Sequence, residues 1–535
     1  MVKMHIMDKI NYKFSQQFSI IIKLLIALLI LTIIYFVGAS GSVYLFDSAI
    51  IYEYGYLISK GYQPFIDFST PLLPFIGDLQ NIAFRFFGFN YFSGVYAGYI
   101  LVIFQFLILS ALLIKITRDI KNAIMISFLI SLCGIPIVGN LYYNHFLISI
   151  VSIHFILMYF EVKVKSNYIT LLSKFVLLTI VAMVKIHWGI SMLFLQLIYD
   201  LKFQKKQKVI KDYLIGLPIL FFVSLTILYL SNNSSFYNYF SFSKKLSILS
   251  NINYQGLLKL IINFPQNIFS AIEFNPVSLF ILIIIPVYYK KGWLSNYIKT
   301  ELFLTIEVII FTIFITLNST EASTIYLPLQ ILILFLCLQY VELAIPNNER
   351  SRLKLMISFF FLLHLVYATI SVVNGNRKLY NELNGEFTTM PLIPKIFSKH
   401  KFHTNSKPIS HFFKGVSISE NQSISFDKID SIINTSNTSR IYFGPELEIF
   451  NIIYKIEPIK GLPLWIHPGL SITKNDINKL DSLFFNNAPD VVFISKKRSG
   501  FIPFINDENM EKHNYRKLLL NNDKSFIECY IKKIL

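Results

Sequence analysis

Apolar residues recur along this chain in runs of about 17 to 25, broken by short lysine-bearing connections and by two long polar loops. A run of that length crosses a hydrocarbon core of roughly 30 Å as a helix. Backbone amides in lipid find partners only within their own segment, so such runs become helices. The pattern predicts eleven spans, at about 18–38, 94–114, 123–139, 146–160, 168–184, 188–200, 214–230, 277–289, 300–317, 325–343 and 355–373. After 373 the pattern changes. The chain becomes rich in Asn, Ser, Lys and Asp, with strand-like runs at 440–444 and 490–495 and helix-like stretches at 445–454 and 476–485. The fold class expected is an all-α polytopic membrane body, residues 1–373, followed by a small α/β domain, residues 374–535.

The polar connections carry orientation, because Lys and Arg collect in short cytoplasmic loops. Lys3, Lys9 and Lys13 precede the first span, and alternate connections then hold Lys115 with Arg118, Lys163 with Lys165, Lys202 to Lys211, Lys290 with Lys291, and Arg350 to Lys354. The connections between them, such as 140–145 and 318–324, hold none. The N-terminus is therefore expected in the cytoplasm and the C-terminal domain outside the cell membrane. A first span preceded by lysines also invites reading as a signal peptide, but its apolar run is longer than a signal core, and it is read as a retained helix.

Composition agrees. Hydrophobic residues make up 54% of the chain, the mean hydropathy is +0.55, and there are 51 Phe. The net charge of +18 is spread over the connections, which suits an anionic membrane surface and excludes a nucleic-acid footprint. Three cysteines give neither a disulfide framework nor metal-ligand spacing.

Chemistry concentrates in the first outer loop, 39–92. Asp47 and Asp67 lie about twenty residues apart, flanking a stretch rich in Tyr and Ile at 49–60. Asp47 is expected to cap a helix there, amphipathic and lying along the membrane interface, with Gly61 ending it. Pro64, Pro71 and Pro74 then hold an extended path. On a chemical reading one carboxylate is a general base and the other orients the acceptor or a divalent cation. On the plainer reading Asp47 is a cap and Asp67 a turn residue.

The pattern Asp47, Leu57-Ile-Ser-Lys-Gly61, Gln63-Pro-Phe-Ile-Asp67-Phe and Pro71 resembles the first outer loop of GT-C membrane glycosyltransferases, in particular the bacterial protein mannosyltransferase and aminoarabinose transferase group. Phe65 stands where Tyr is commoner in that group, and Ser48 where a second acid often stands. Tyr326-Leu-Pro328 resembles a further element of the family. The resemblance implies a sugar taken from a polyprenyl-phosphate donor, with Asp47 as the essential acid, Asp67 beside it, and Tyr326 near the substrate. The acceptor, a glycan, lipid or protein, is left open, and nothing in the residues requires a cofactor or metal.

Cations near the outer surface would stabilise a departing phosphate. Lys185 and His187 in the connection 184–188, His145 with Tyr142 and Tyr143 in the preceding outer turn, and Arg85 late in the first loop are the candidates. Lys185 could equally snorkel, and Trp188 and the tyrosines could be interfacial anchors. Glu307 is read as the one acid deep in a span. The competing classes are a transporter or flippase for lipid-linked saccharides, a glycan polymerase or ligase, and a purely structural protein. A transporter would scatter charge through its spans; these spans read as nearly clean, which favours the enzyme.

Overall fold

The computed structural model describes residues 2–40, 46–70, 72–135, 140–164, 167–230, 299–318, 327–344, 406–416, 418, 420–436, 438–464, 466, 476–496, 502, 504–518 and 527–533, with isolated helical positions between 351 and 366. The expected spans at 277–289 and, apart from those positions, 355–373 lie outside the described residues, as do Tyr326 and Pro71.

The other nine expected spans coincide with helices. They are α1 (Val2–Ser40), α4 (Tyr91–Thr117), α5 (Ile120–Cys133), α6 (Tyr143–Lys163), α7 (Tyr168–Ala182), α8 (Ile186–Phe203), α9 (Lys206–Leu230), α10 (Lys299–Asn318) and α11 (Leu327–Ala344). Four contain segments long and apolar enough to cross a membrane: Phe18–Val37, Tyr91–Thr117, Tyr143–Lys163 and Lys206–Thr226. Helix α6 is the axis of the bundle, buried along nearly its whole length. Leu, Ile and Phe from α4, α5, α6, α8, α10 and α11 interlock around it.

Two helices occupy the first long loop, α2 (Phe46–Ser59) and α3 (Phe75–Phe87). Two expectations for α2 are corrected. Asp47 is the second residue of the helix, not a cap ahead of it. From Ala49 to Leu57 the helix is buried on every side, so it is not an amphipathic helix at an interface. Its neighbours explain this: α3 covers one side, and the C-terminal residues cover another. Gly61 does end it, at φ +84°, where the Tyr62 N–H reaches back to the Leu57 carbonyl at 3.0 Å.

The C-terminal residues form α12 (Lys407–Phe412), α13 (Glu420–Ser436), β1 (Ile441–Phe443), α14 (Ile449–Tyr454), α15 (Ile477–Asn487), β2 (Val491–Ser495), α16 (Asp507–Lys512), β3 (Tyr515–Leu518) and β4 (Ile527–Lys532). The sheet order is β1-β2-β4-β3, with β1 and β2 parallel and the remaining pairs antiparallel. The helix expected at 445–454 starts only at Ile449, because Glu446 takes φ +74° in a turn after β1. Phe412, Phe413, Phe426, Phe443 and Phe450 continue the core of α2 and α4, meeting Tyr52 and Tyr91.

Candidate functional site

Two features meet on the first long loop. The first is the turn that joins α7 to α8. Lys185 precedes α8, and its Nζ donates to the Asn144 side-chain oxygen at 2.8 Å. The ammonium lies 4.7 Å from the Tyr143 ring and 5.0 Å from the Trp188 ring, within cation–π range. Asn144 also donates to the Tyr142 hydroxyl at 3.3 Å, and the Tyr142 ring packs 5.4 Å from His145. The structure thus brings Lys185, His145 and both tyrosines into one group, with His187 in the first turn of α8. The loop reaches this group through its exit: the Leu73 N–H points at the Val184 carbonyl at 3.4 Å, and Phe75 packs on Phe146 at 5.9 Å. Trp188 is fully buried, so it is no interfacial anchor. His145 is also buried, and neither ring nitrogen has a hydrogen-bond partner among the described residues. Arg85 stands apart, exposed in the last turn of α3.

The second feature is a cavity between the loop and the C-terminal residues. It encloses about 30 Å³, room for a water or two, and is partly open to solvent. Glu53, Tyr62, Asp67 and Phe68 form one wall, and Tyr442, Glu448, Asn451 and Lys460 face them. Backbone bonds clamp the walls together: the Gly461 N–H donates to the Asp67 carbonyl at 2.6 Å and the Leu464 N–H to the Ser69 carbonyl at 2.8 Å. The Tyr62 hydroxyl meets Glu457 at 2.9 Å.

Asp67 fastens its own turn. Its carboxylate accepts the Gln63 N–H at 2.8 Å, and its N–H donates to the Gln63 carbonyl at 2.9 Å. The turn forces Phe65 to φ +66°, an uncommon region for a side chain that large. The other carboxylate oxygen lies 3.7 Å from the Lys460 ammonium. The geometry shows the turn role, and the residue also lines the cavity.

Neither Glu53 nor Glu448 is among the candidates named from the sequence. Both are buried where the loop meets the C-terminal residues. Glu53 accepts from the Asn451 amide nitrogen at 2.6 Å. Burial pushes the Glu53 carboxyl up to about 8 against the Asn451 hydrogen bond that favours its charge. Burial, then the neighbouring Glu53, raise Glu448. The available signal was a lone acid in an otherwise Ile- and Tyr-rich helix, at 49–57.

No three His, Cys, Asp or Glu side chains converge to hold a metal ion among the described residues. The carboxylates of the cavity fit a divalent cation poorly, because Asn451 directs an N–H donor at Glu53 and Asp67 is engaged by an N–H and an ammonium.

At the far end of the same helices the sequence reading of nearly clean spans is corrected. Lys174, inside α7, pairs with Glu161 of α6 and, at 3.4 Å, with Asp200 of α8. Lys208 reaches Glu161 at 3.4 Å, and Lys163 pairs with Glu301 of α10. Hydropathy averages hide such residues: Glu161, Asp200 and Glu301 sit near helix ends, and Lys174 is a single charge in mid-α7 among apolar neighbours. Glu307 is buried in α10, and neither of its carboxylate oxygens has a hydrogen-bond partner among the described residues.

No protein-family model matches the chain, and no curated protein matches it. Among solved structures the chain is similar to ArnT from Cupriavidus metallidurans in the apo state, at 11% identity and a TM-score of 0.48. It is also similar to ArnT of the same organism bound to undecaprenyl phosphate, at 10% and 0.45; each match covers 95% of this chain and 97% of that one. A third is the oligosaccharyltransferase of Archaeoglobus fulgidus in complex with Zn and sulfate, at 11% and 0.40, covering 95% of this chain and 73% of that one. ArnT and the oligosaccharyltransferase are both GT-C glycosyltransferases. Likeness at these scores assigns no role to any residue here.

Proposed function

We propose that this protein is an integral membrane glycosyltransferase that moves a hexosyl or pentosyl group from a polyprenyl-phosphate donor to an acceptor on the outer face of the membrane. The observation that carries the reading is the Lys185 ammonium, held between Asn144, Tyr143 and Trp188 against the exit of the acidic first loop. In the reaction proposed, the acceptor hydroxyl gives its proton to Asp47 as its oxygen attacks the anomeric carbon and inverts it. The bond from that carbon to the phosphate oxygen breaks, and its electron pair leaves on the phosphate. A preorganised cation in a low-dielectric site stabilises that developing charge, the role given to Lys185. His145 and His187 border the phosphate position, and Asp67 fixes the loop. Arg85 and Tyr326 belong to the donor's approach. The N-terminus is assigned to the cytoplasm and the C-terminal domain to the outside.

The buried Lys174 network favours the transporter or flippase reading, since charges inside helices often mark a pathway. Each of Lys163, Lys174 and Lys208 there is paired with at least one carboxylate, which suits a closed fastening better than a path. The test compares surface glycans and lipid-linked sugars by mass spectrometry in a strain lacking the gene, complemented with wild type or Asp47→Asn at matched membrane levels. Restoration of a missing sugar by wild type alone, with the lipid-linked donor accumulating in the variant, supports the transferase. Equal restoration by Asp47→Asn removes Asp47 from the chemistry and moves the transporter ahead.

A further inference from the structure

Where α8 turns into α9 the chain carries five lysines in ten residues, Lys202, Lys205, Lys206, Lys208 and Lys211. The acids beside them are already engaged. Asp200 is buried against Lys174. Asp212 lies 3.9 Å from Lys208, whose ammonium also reaches inward to Glu161 at 3.4 Å. Lys202, Lys205, Lys206 and Lys211 are exposed and have no ion pair among the described residues. No acid stands in the first turn of α9, so the free N–H groups of that helix end add to the positive potential. The connection between α4 and α5, by contrast, sets Asp119 among Lys115, Arg118 and Lys121.

These cations sit at the end of an apolar stripe. Lys206, Ile210, Leu214, Leu217 and Phe221 are spaced three or four residues apart, which places them on one face of α9. All five are exposed, Leu214 at 70%. The adjacent face is spent on α7, where Phe175 packs 5.4 Å from Tyr213 and against Gly216. Between Ile210 and Phe221 the stripe rises about 16 Å, close to one leaflet of a hydrocarbon core roughly 30 Å thick. Exposed Leu201 extends the apolar surface onto α8 beside Lys202.

We propose that this turn binds an anionic diacyl phospholipid, its phosphate held by Lys205, Lys206 and Lys211 and one acyl chain laid along the stripe at 210–221. In the topology assigned above, the lipid belongs to the cytoplasmic leaflet. A molecule with negative charge at one end and a leaflet's depth of hydrocarbon at the other answers both features. A free phosphate leaves the stripe unused, and a zwitterionic lipid brings its own cation to the lysines. Lys208 ties the site to the interior, because it stands among the surface lysines and pairs with Glu161. A phosphate there relieves the repulsion that its neighbours exert on Lys208, and so supports the ion network of α6, α7 and α8. The inference stands whichever reaction the protein performs.

The test is native mass spectrometry of the full-length protein in detergent. It is titrated with phosphatidylglycerol, with phosphatidylcholine of the same chains, and with glycerol 1-phosphate as the chain-free anion. One phosphatidylglycerol should bind saturably, about tenfold tighter than phosphatidylcholine or more, with glycerol phosphate far weaker. Lys205→Gln, Lys206→Gln and Lys211→Gln together should weaken it about tenfold or more. Lys115→Gln, Arg118→Gln and Lys121→Gln together remove the same charge elsewhere and should barely change it. A second readout needs no variant: phosphatidylglycerol with a photoreactive diazirine in its chain should label the wild type chiefly within 210–221. Equal binding of phosphatidylcholine, equal binding of glycerol phosphate, equal loss in the two triple variants, or label spread evenly over the lipid-facing helices would each overturn the proposal.

Discussion

The Lys185 ammonium has the Asn144 oxygen at 2.8 Å on one side and two aromatic faces within about 5 Å on the others. The side chain is half-buried, and the position of its charge is set by Asn144 and the two rings. Lys185→Met keeps the stem and removes the charge. Loss of one preorganised donor to a developing anion typically costs 10²–10³-fold in turnover. Turnover by Lys185→Met, followed as release of polyprenyl phosphate, should fall about 10²-fold with a nearly unchanged melting temperature. A fall in melting with full specific activity would make Lys185 a packing residue. Glu53 and Glu448 give a second prediction at this scale. Their carboxyls are raised in the folded protein, Glu53 to about 8, so between the ordinary carboxylate range and pH 8 the folded state holds protons that the unfolded state has released. Stability must therefore fall as pH rises through that window. Hydrogen exchange at Gly461 and Leu464, whose N–H groups clamp the loop, should speed up from pH 6 to pH 8.5 beyond the intrinsic base catalysis. Glu448→Gln should remove about half of that extra slope, leaving the share of Glu53.

At the scale of elements, α2 and α3 approach so closely that each uses a glycine where they meet. A Cβ on Gly55 would lie 2.7 Å from the Gln80 side chain, and one on Gly77 2.6 Å from the Tyr54 ring. Gly77→Ala should force the helices apart at a cost of about 1–3 kcal/mol. The shift should lower turnover as well as melting, because α3 begins at the Phe75–Phe146 contact beside the Lys185 turn. Unchanged melting would show that Tyr54 swings aside freely. Much of this architecture was legible in the sequence. Apolar runs located nine described helices, the Leu57–Gly61 stop was read from glycine, and β1 and β2 were read from their β-branched and aromatic runs. What could not be read was contact between segments about four hundred residues apart. Periodicity made α2 a surface helix, since nothing in residues 49–57 says that α14 will cover Glu53. The antiparallel strands β3 and β4 also escaped, because Tyr515-Arg-Lys-Leu and Ile527-Glu-Cys-Tyr-Ile-Lys alternate too briefly among charges to stand out.

Across the whole molecule, the Lys185 group and the Lys174 network terminate the same helices. Helix α6 carries Asn144 in its first turn and Glu161 near its end, about 26 Å apart at the rise of an α-helix. Helix α8 begins after Lys185 and carries Asp200 near its own end. The network is thus placed to fix the mutual height of α6, α7 and α8, and through them the distance between Lys185 and Asn144. Removing one member of a buried ion group leaves an uncompensated charge and costs about 3–5 kcal/mol, whereas replacing the members together by neutral groups of similar volume is often close to neutral. Lys174→Met alone should therefore melt well below wild type. Adding Glu161→Gln and Asp200→Asn to it should recover most of the loss, with Lys208 left half-exposed to solvent. Turnover is the deciding readout. A fastening tolerates the neutral triple variant, so sugar transfer should return with stability to within a few-fold of wild type. A conduction path needs the charges themselves, and a triple variant that melts like wild type yet delivers no sugar would place the function in the Lys174 network and not at Lys185.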